Sequence, residues 1–323
     1  MIRWWVRLWD RRERPTALAI IRILVVVVLL WDLGHAWLLD LVDVLWSPPE
    51  VGGLPTKLLQ REPVPEVYRW FPPDVTTARG LHAATCAALA LFGLGVATRW
   101  TGLASLLLYA QVGLVLPLGD RGIDLMMRNV MLILVFSESG RMMSVDAKLR
   151  TGSWWGDGGD APAWPRHLLI LQLVVMYFMA GVQKTAVTWT PLGGYHALYI
   201  ILQDPHIAKY DFAWLESVWP ITSLASMTTH LFEWTSPLLL LVYHYRDTRD
   251  RPGRLRAFAL RWRVHWIWIT VGVLLHLGIA LTMQLGIFPW AMLSLYPAFF
   301  HADEIDAAFR RLTGRSIPAA APS

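Results

Sequence analysis

The sequence predicts an all-α protein, a polytopic integral membrane helical bundle of about eight transmembrane helices with both termini cytoplasmic. Three observations lead there. The chain of 323 residues is 55% hydrophobic and only 16% charged, with a mean hydropathy of +0.41, far from the usual balance of soluble domains. Its apolar residues gather in runs long enough to cross a bilayer. Its 19 tryptophans mostly flank those runs, as in an aromatic belt at a membrane surface.

The elements follow in order. Residues 1–15 form a basic arm in which Ile2, Trp5, Val6 and Trp9 alternate with Arg3, Arg7 and Arg11 at helical spacing, the pattern of a short helix lying on an anionic membrane face. The apolar run Ala17–Leu39 is too long for the core of a signal peptide, and no small-residue cleavage site follows it. It is the first predicted span. Gly80–Thr98 and Thr101–Leu118 are the next two, expected to be joined by a tight turn at Arg99-Trp100. Asp124–Phe136 is shorter and carries Arg128 and Asn129, so it is expected among other helices. Leu168–Ala186, Ile221–Tyr243 and His265–Leu285 are the fifth, sixth and seventh spans. Phe288–Phe300, interrupted by Pro289 and Pro297, is the eighth. A short polar tail, 303–323, completes a single predicted membrane domain.

Arginine placement orients the bundle. Arg3, Arg7, Arg11, Arg12 and Arg14 precede the first span, seven arginines from Arg246 to Arg263 follow the sixth, and Arg310, Arg311 and Arg315 follow the eighth. Eight spans put all three clusters on one face, which the positive-inside rule makes cytoplasmic. This distribution explains the basic charge as membrane orientation rather than nucleic-acid binding. The two outer segments, Asp40–Arg79 and Val187–Pro220, are rich in aromatic residues, and Tyr195–Gln203 is expected to form a short interfacial helix. Cys86 is the single cysteine, so no internal disulfide or cysteine metal cluster can form. No metal-ligand spacing, Walker loop or nucleophile elbow occurs. Nor do two matching halves carry paired broken helices, the pattern of many transporters.

The candidate chemistry centres on Lys184, near the outer end of the fifth span. A lysine costs about 2.5–3.5 kcal/mol at the centre of a membrane and less near its surface, so it must reach water, pair with an acid, or serve a purpose. Gln172, Met176, Ala180 and Lys184 recur every four residues and share a helix face. Tyr177 lies two turns before Lys184. His276, Gln284 and Phe288 mark a similar row in the seventh span and beyond it. On the sixth, Glu233 follows His230 by three and precedes Pro237, where a kink is expected. Trp189 and Tyr195 come from the outer segment after Lys184. Arg22 and Arg128 read as partners for acids such as Asp32, Glu233 or Glu138.

The stretch Tyr177-Phe178-Met179-Ala180-Gly181-Val182-Gln183-Lys184, followed by Trp189 and Gly193-Gly194-Tyr195, resembles a segment of vitamin K-dependent gamma-glutamyl carboxylases and of their bacterial relatives, the HTTM (horizontally transferred transmembrane) domain proteins. Arg22, Gly53-Leu54-Pro55, Ser144-Val145-Asp146, Glu233 with Pro237, His276 and Gly286-Ile287-Phe288 match in the same order, so the resemblance covers roughly residues 15–302. It implies a bacterial inner-membrane protein and a reduced quinone as the compound acted on. Lys184 is implied as the base. Joined to the helix faces above, this places His276, Tyr177 and Glu233 as expected catalytic neighbours and Gln172, Met176, Trp189, Tyr195, Gln284 and Phe288 as the expected lining of a cofactor pocket. An amine desolvated among apolar helices is easily held neutral and basic. The carboxylases carry an Asn-His pair where this chain has Gly122-Ile123-Asp124, and a large extramembrane C-terminal domain is not expected here. Glutamate carboxylation itself is therefore not expected. Three readings stay open: a quinone- or lipid-dependent membrane enzyme; a non-enzymatic protein that binds lipid or a partner subunit, or assists maturation of an exported peptide; and, behind these, a small-solute transporter, which needs a hydrated path with alternating access.

Overall fold

The computed structural model describes residues 10–54 and 65–314. Its long helices are α1 (Thr16–Leu38), α2 (Val75–Leu94), α3 (Thr98–Val115), α4 (Gly122–Phe136), α5 (Trp164–Gln183), α6 (Trp219–Trp234), α7 (Pro237–Asp247), α8 (Val264–Thr282) and α9 (Ala302–Thr313). Among the described residues three helices, α1, α5 and α8, are long and apolar enough to cross a membrane. The chain divides into two compact units, one of residues 1–169 with 294–323 and one of residues 170–293. The basic arm expected to lie on the membrane falls mostly outside the described residues. Arg12–Glu13 (β1) pairs antiparallel with Ala161–Pro162 (β2).

In the first unit α1 to α4 run alternately up and down, as the charged groups at their two ends show. At one end Arg22, fully buried, donates from Nη1 to the Ser139 carbonyl and from Nη2 to the Met143 carbonyl, each at 2.5 Å. At the other, Arg121 bridges Asp32 of α1 at 2.5 Å and Asp124 of α4 at 2.8 Å, and the Tyr109 hydroxyl of α3 donates to Asp124 at 2.6 Å. Arg128 is paired with Asp120, two contacts of 2.7 Å, and Glu138 with Arg141 at 2.8 Å. The partners expected for Arg22 and Arg128 are thus corrected. Arg22 is satisfied chiefly by the backbone carbonyls of Ser139 and Met143 in the segment after α4, and Arg128 by an acid two residues before its own helix.

The turn between α2 and α3 also differs from expectation. Arg99 and Trp100 lie inside the first turn of α3, and the reversal occurs at Gly95 and Ala97, both in the left-handed region with φ of 71° and 46°. Asp146 holds it. Its carboxylate accepts from the amides of Ala97 and Thr98 at 2.8 Å and from the Thr98 hydroxyl at 2.7 Å, while its own amide donates to Gly95. Burial alone would raise the pKa of Asp146, but these hydrogen bonds and the nearby Arg22 charge hold it below the usual carboxylate range. Because the folded form has the lower value, its stabilisation is complete above the ordinary carboxylate range and disappears as pH falls through the lowered value. Asp146→Ala is expected to cost about 1–2 kcal/mol, the scale of a lost helix cap. The gap in thermal midpoint between variant and wild type should stay constant near neutral pH and close only below about pH 4.

The expected polar tail begins as α9, tied to the arm by an Arg14–Asp306 ion pair. Arg166, at the start of α5 and buried, holds Glu13 at 2.5 and 2.8 Å and the Ala298 carbonyl at 3.0 Å.

In the second unit the predicted sixth span is two helices. The chain breaks at Thr235-Ser236, immediately before Pro237, whose missing amide cannot continue the ladder. Ser236 compensates by donating from its hydroxyl to the Val174 carbonyl of α5 at 3.0 Å. A short helix, Ala197–Leu202, stands where the interfacial helix is expected.

Candidate functional site

The site grows from a close approach of two antiparallel helices. A Cβ on Gly181 of α5 would sit 3.0 Å from the Glu233 Cβ and 3.2 Å from the Trp234 amide nitrogen of α6. Glycine therefore lets α6 come near enough for its acid to meet the end of α5. Gly181→Leu is expected to push the helices apart at a cost of about 1–3 kcal/mol, read as a lower thermal midpoint.

Lys184 follows the last residue of α5. Its amide donates to the Gly181 carbonyl, and its ammonium folds back over the helix end, 3.5 Å from the Ala180 carbonyl, where the helix dipole favours a cation. Nζ donates to Glu233 Oε1 at 2.7 Å and lies 2.6 Å from Oε2. The Glu233 side chain is only 7% exposed and that of Lys184 21%. The Trp189 ring covers the amine, its centroid 5.1 Å from Nζ, an attractive cation–π geometry. His230 Nδ1 lies 2.7 Å from the Trp189 carbonyl and anchors that cover to α6.

A second hydrogen-bonded pair stands beside the first. The Tyr177 hydroxyl and His276 Nε2 are 2.6 Å apart and buried. Around them, the Tyr177 ring packs edge-on against Phe232 and Trp268, with centroids 4.9 and 5.4 Å away, and Phe288 lies 5.7 Å from the His276 ring. Phe232 precedes Glu233 in sequence, so α6 links the aromatic cluster to the ion pair.

The expected site residues divide accordingly. Lys184, Glu233 and Trp189 come together, as do Tyr177, His276 and Phe288. Gln284 is used otherwise: its side chain donates to the Ala208 carbonyl at 3.1 Å and its amide to Ile207. That corrects its expected place along the pocket, because the chain leaves α8 at Thr282 and its row of side chains ends there. Gln172 and Met176 share the half-exposed face of α5, while Tyr195, half-buried with a φ of 55°, lies in the turn before the short helix. His230, singled out beside Glu233 in the sequence, joins the site through Trp189, whereas Phe232, Trp268 and Ser236 belong to it and escaped sequence reasoning. The one available signal was Gly181 on the buried face three residues before Lys184, which marks where a neighbouring helix can approach. Among the described residues no group of three potential ligands can hold a metal ion.

The arrangement offers a charged pair able to accept one proton, next to an apolar aromatic cluster. In comparisons with known proteins, the HTTM domain family model matches residues 10–250. No curated protein matches the chain, and no solved structure does.

Proposed function

Because this chain belongs to the HTTM family of membrane proteins, we propose that it is a multi-pass protein of the bacterial inner membrane whose Lys184–Glu233 pair carries out proton transfer on a lipid-soluble hydroxyl compound, a reduced quinone or a lipid. The observation that carries the reading is the amine held between both Glu233 oxygens and capped by Trp189, next to apolar rings. Eight crossings with both termini cytoplasmic put this pair near the outer surface, within lateral reach of a compound dissolved in the bilayer. The alternating directions of α1 to α4 support that count for the first half.

The residues present fit a quinol-like ring and hydroxyl: Tyr177, Phe232, Trp268 and Phe288 supply apolar rings, and the ion pair supplies the proton acceptor. A reduced quinone, when bound, supplies an acidic hydroxyl and two electrons. Lys184 passes a proton from Nζ to Glu233 Oε1 and thereby turns a lone pair toward the incoming hydroxyl. The pair ends with one proton more than it began and keeps a positive charge beside the group that has lost it. The Tyr177–His276 hydrogen bond holds the aromatic cluster in place. Gly122-Ile123-Asp124 has no role in this chemistry, since Asp124 is committed to Arg121 and Tyr109, and glutamate carboxylation forms no part of the proposal.

A second reading has one observation in its favour: the ammonium is already neutralised by Glu233, as in a purely structural lock between helices. On that reading the protein binds a lipid or partner, or assists maturation of an exported peptide, without catalysis. Mass spectrometry of the apolar extract from protein purified in mild detergent distinguishes the two. A quinone or another hydroxyl-bearing lipid enriched over bulk membrane and reduced in amount by Lys184→Met supports the enzymatic reading. Bulk phospholipid alone, unchanged by the substitution, overturns it.

A further inference from the structure

At the end of the first unit where Arg22 is buried, a cleft of about 600 Å³ opens, lined among others by Thr98, Arg99, Trp100, Glu138, Asp146 and Arg150. Its acids are already used. Asp146 accepts three hydrogen bonds from the α2–α3 turn. Glu138 and Asp157 are both bound by Arg141, at 2.8 and 3.0 Å, and these contacts hold Asp157 below the usual carboxylate range, the Gly159 amide contributing first and Arg141 next. Arg99 and Arg150 are left over: both are exposed, and neither has a hydrogen bond or carboxylate partner among the described residues. Beside them Trp100 is 75% and Leu149 80% exposed. The cavity of about 270 Å³ at the opposite end of the unit is built differently, with Arg121 and Arg128 each committed to aspartates.

The geometry points to a binding site for the phosphate group of an anionic phospholipid. Two arginines with unspent charge line a pocket of ligand size, and a tryptophan and a leucine stand exposed beside them, the composition of a membrane boundary. Guanidinium groups suit phosphate oxygens because their paired N–H groups match them. The headgroup enters the cleft between the arginines, and the acyl chains lie along Trp100 and Leu149. Topology makes this the cytoplasmic leaflet, where basic pockets meet acidic lipids. The inference rests on the membrane reading above and not on the chemistry of Lys184.

Purified full-length protein in neutral detergent, titrated with short-chain phosphatidylglycerol, phosphatidylcholine or inorganic phosphate and followed by native mass spectrometry, tests it. Wild type should bind phosphatidylglycerol. The Arg99→Gln/Arg150→Gln variant should bind it roughly 30-fold more weakly, corresponding to about 1 kcal/mol per arginine. Arg249→Gln/Arg251→Gln, outside the cleft, should bind like wild type. Arg99→Lys/Arg150→Lys, which keeps the charge and loses the paired donors, should fall between. Equal weakening in both glutamine pairs, or none in the cleft pair, overturns the site. Displacement of phosphatidylglycerol by an equal concentration of inorganic phosphate assigns the site to free phosphate and overturns the lipid. Phosphatidylglycerol binding that survives Lys184→Met while turnover is lost separates failure of the two proposals.

Discussion

Lys184→Met and Glu233→Gln, made singly, are expected to lower stability, the first by about 2–3 kcal/mol. Removing one member of a buried ion pair strands the other, a loss of roughly 3–5 kcal/mol when both are fully desolvated. Lys184 keeps about a fifth of its side chain exposed, which places the loss at the lower edge. Lys184→Met is the more damaging, since it leaves Glu233, only 7% exposed, with no cation against its carboxylate. Glu233→Gln leaves an ammonium that still reaches the Ala180 carbonyl and the Trp189 ring. Combining the two should recover most of the lost stability, because a neutral pair of similar volume replaces two charges. Thermal unfolding of the four proteins in one detergent checks this order.

Arg22→Met is the other large effect. Arg22 is fully buried and its two terminal nitrogens occupy the carbonyls of Ser139 and Met143. Methionine fills much of the space yet leaves both carbonyls without a donor, each costing about 1–3 kcal/mol when buried. It also removes the charge that helps hold Asp146. A loss of about 3 kcal/mol or more is expected, with limited proteolysis appearing first in residues 137–157. Arg22→Lys should recover only part, since one ammonium cannot span both acceptors as a guanidinium does. A methionine variant as stable as wild type would show that those carbonyls find other donors and that Arg22 is not what joins α1 to the loop after α4.

The two predictions separate what was legible in the sequence from what was not. The first helix was plain, because Thr16–Leu38 is a long apolar run interrupted by charge only at Arg22 and Asp32, and its length identifies it. The break before Pro237 was legible from proline chemistry, and the position of Lys184 at the end of α5 from the apolar run before it. Partner choice was not legible. Whether Arg22 meets Asp32, Glu138 or a carbonyl depends on how α1 is rotated against its neighbours, which periodicity does not determine when apolar residues surround the helix on every side. Arg121 was missed for a related reason. It sits outside an apolar run and looks like a loop residue, although Arg121 and Asp124 at three-residue spacing resemble a helix-start pair. Ser144-Val145-Asp146, singled out by family resemblance, has a structural task here: Ser144 caps a short helix, accepting from the Ala147 amide at 2.9 Å, and Asp146 clasps the α2–α3 turn. At the site, Lys184 and Glu233 were both named, but their contact depends on the absent side chain of Gly181.

The most direct test of proton transfer at Lys184 uses the charge-free pair. Wild type and Lys184→Met/Glu233→Gln, matched for thermal stability in lipid nanodiscs, are given a reduced naphthoquinone under oxygen, and oxidation above the spontaneous rate is followed by absorbance. Wild type should accelerate oxidation and the double variant should show none of that acceleration despite being folded. Equal rates in the two proteins would contradict the account and leave the pair as a helix lock.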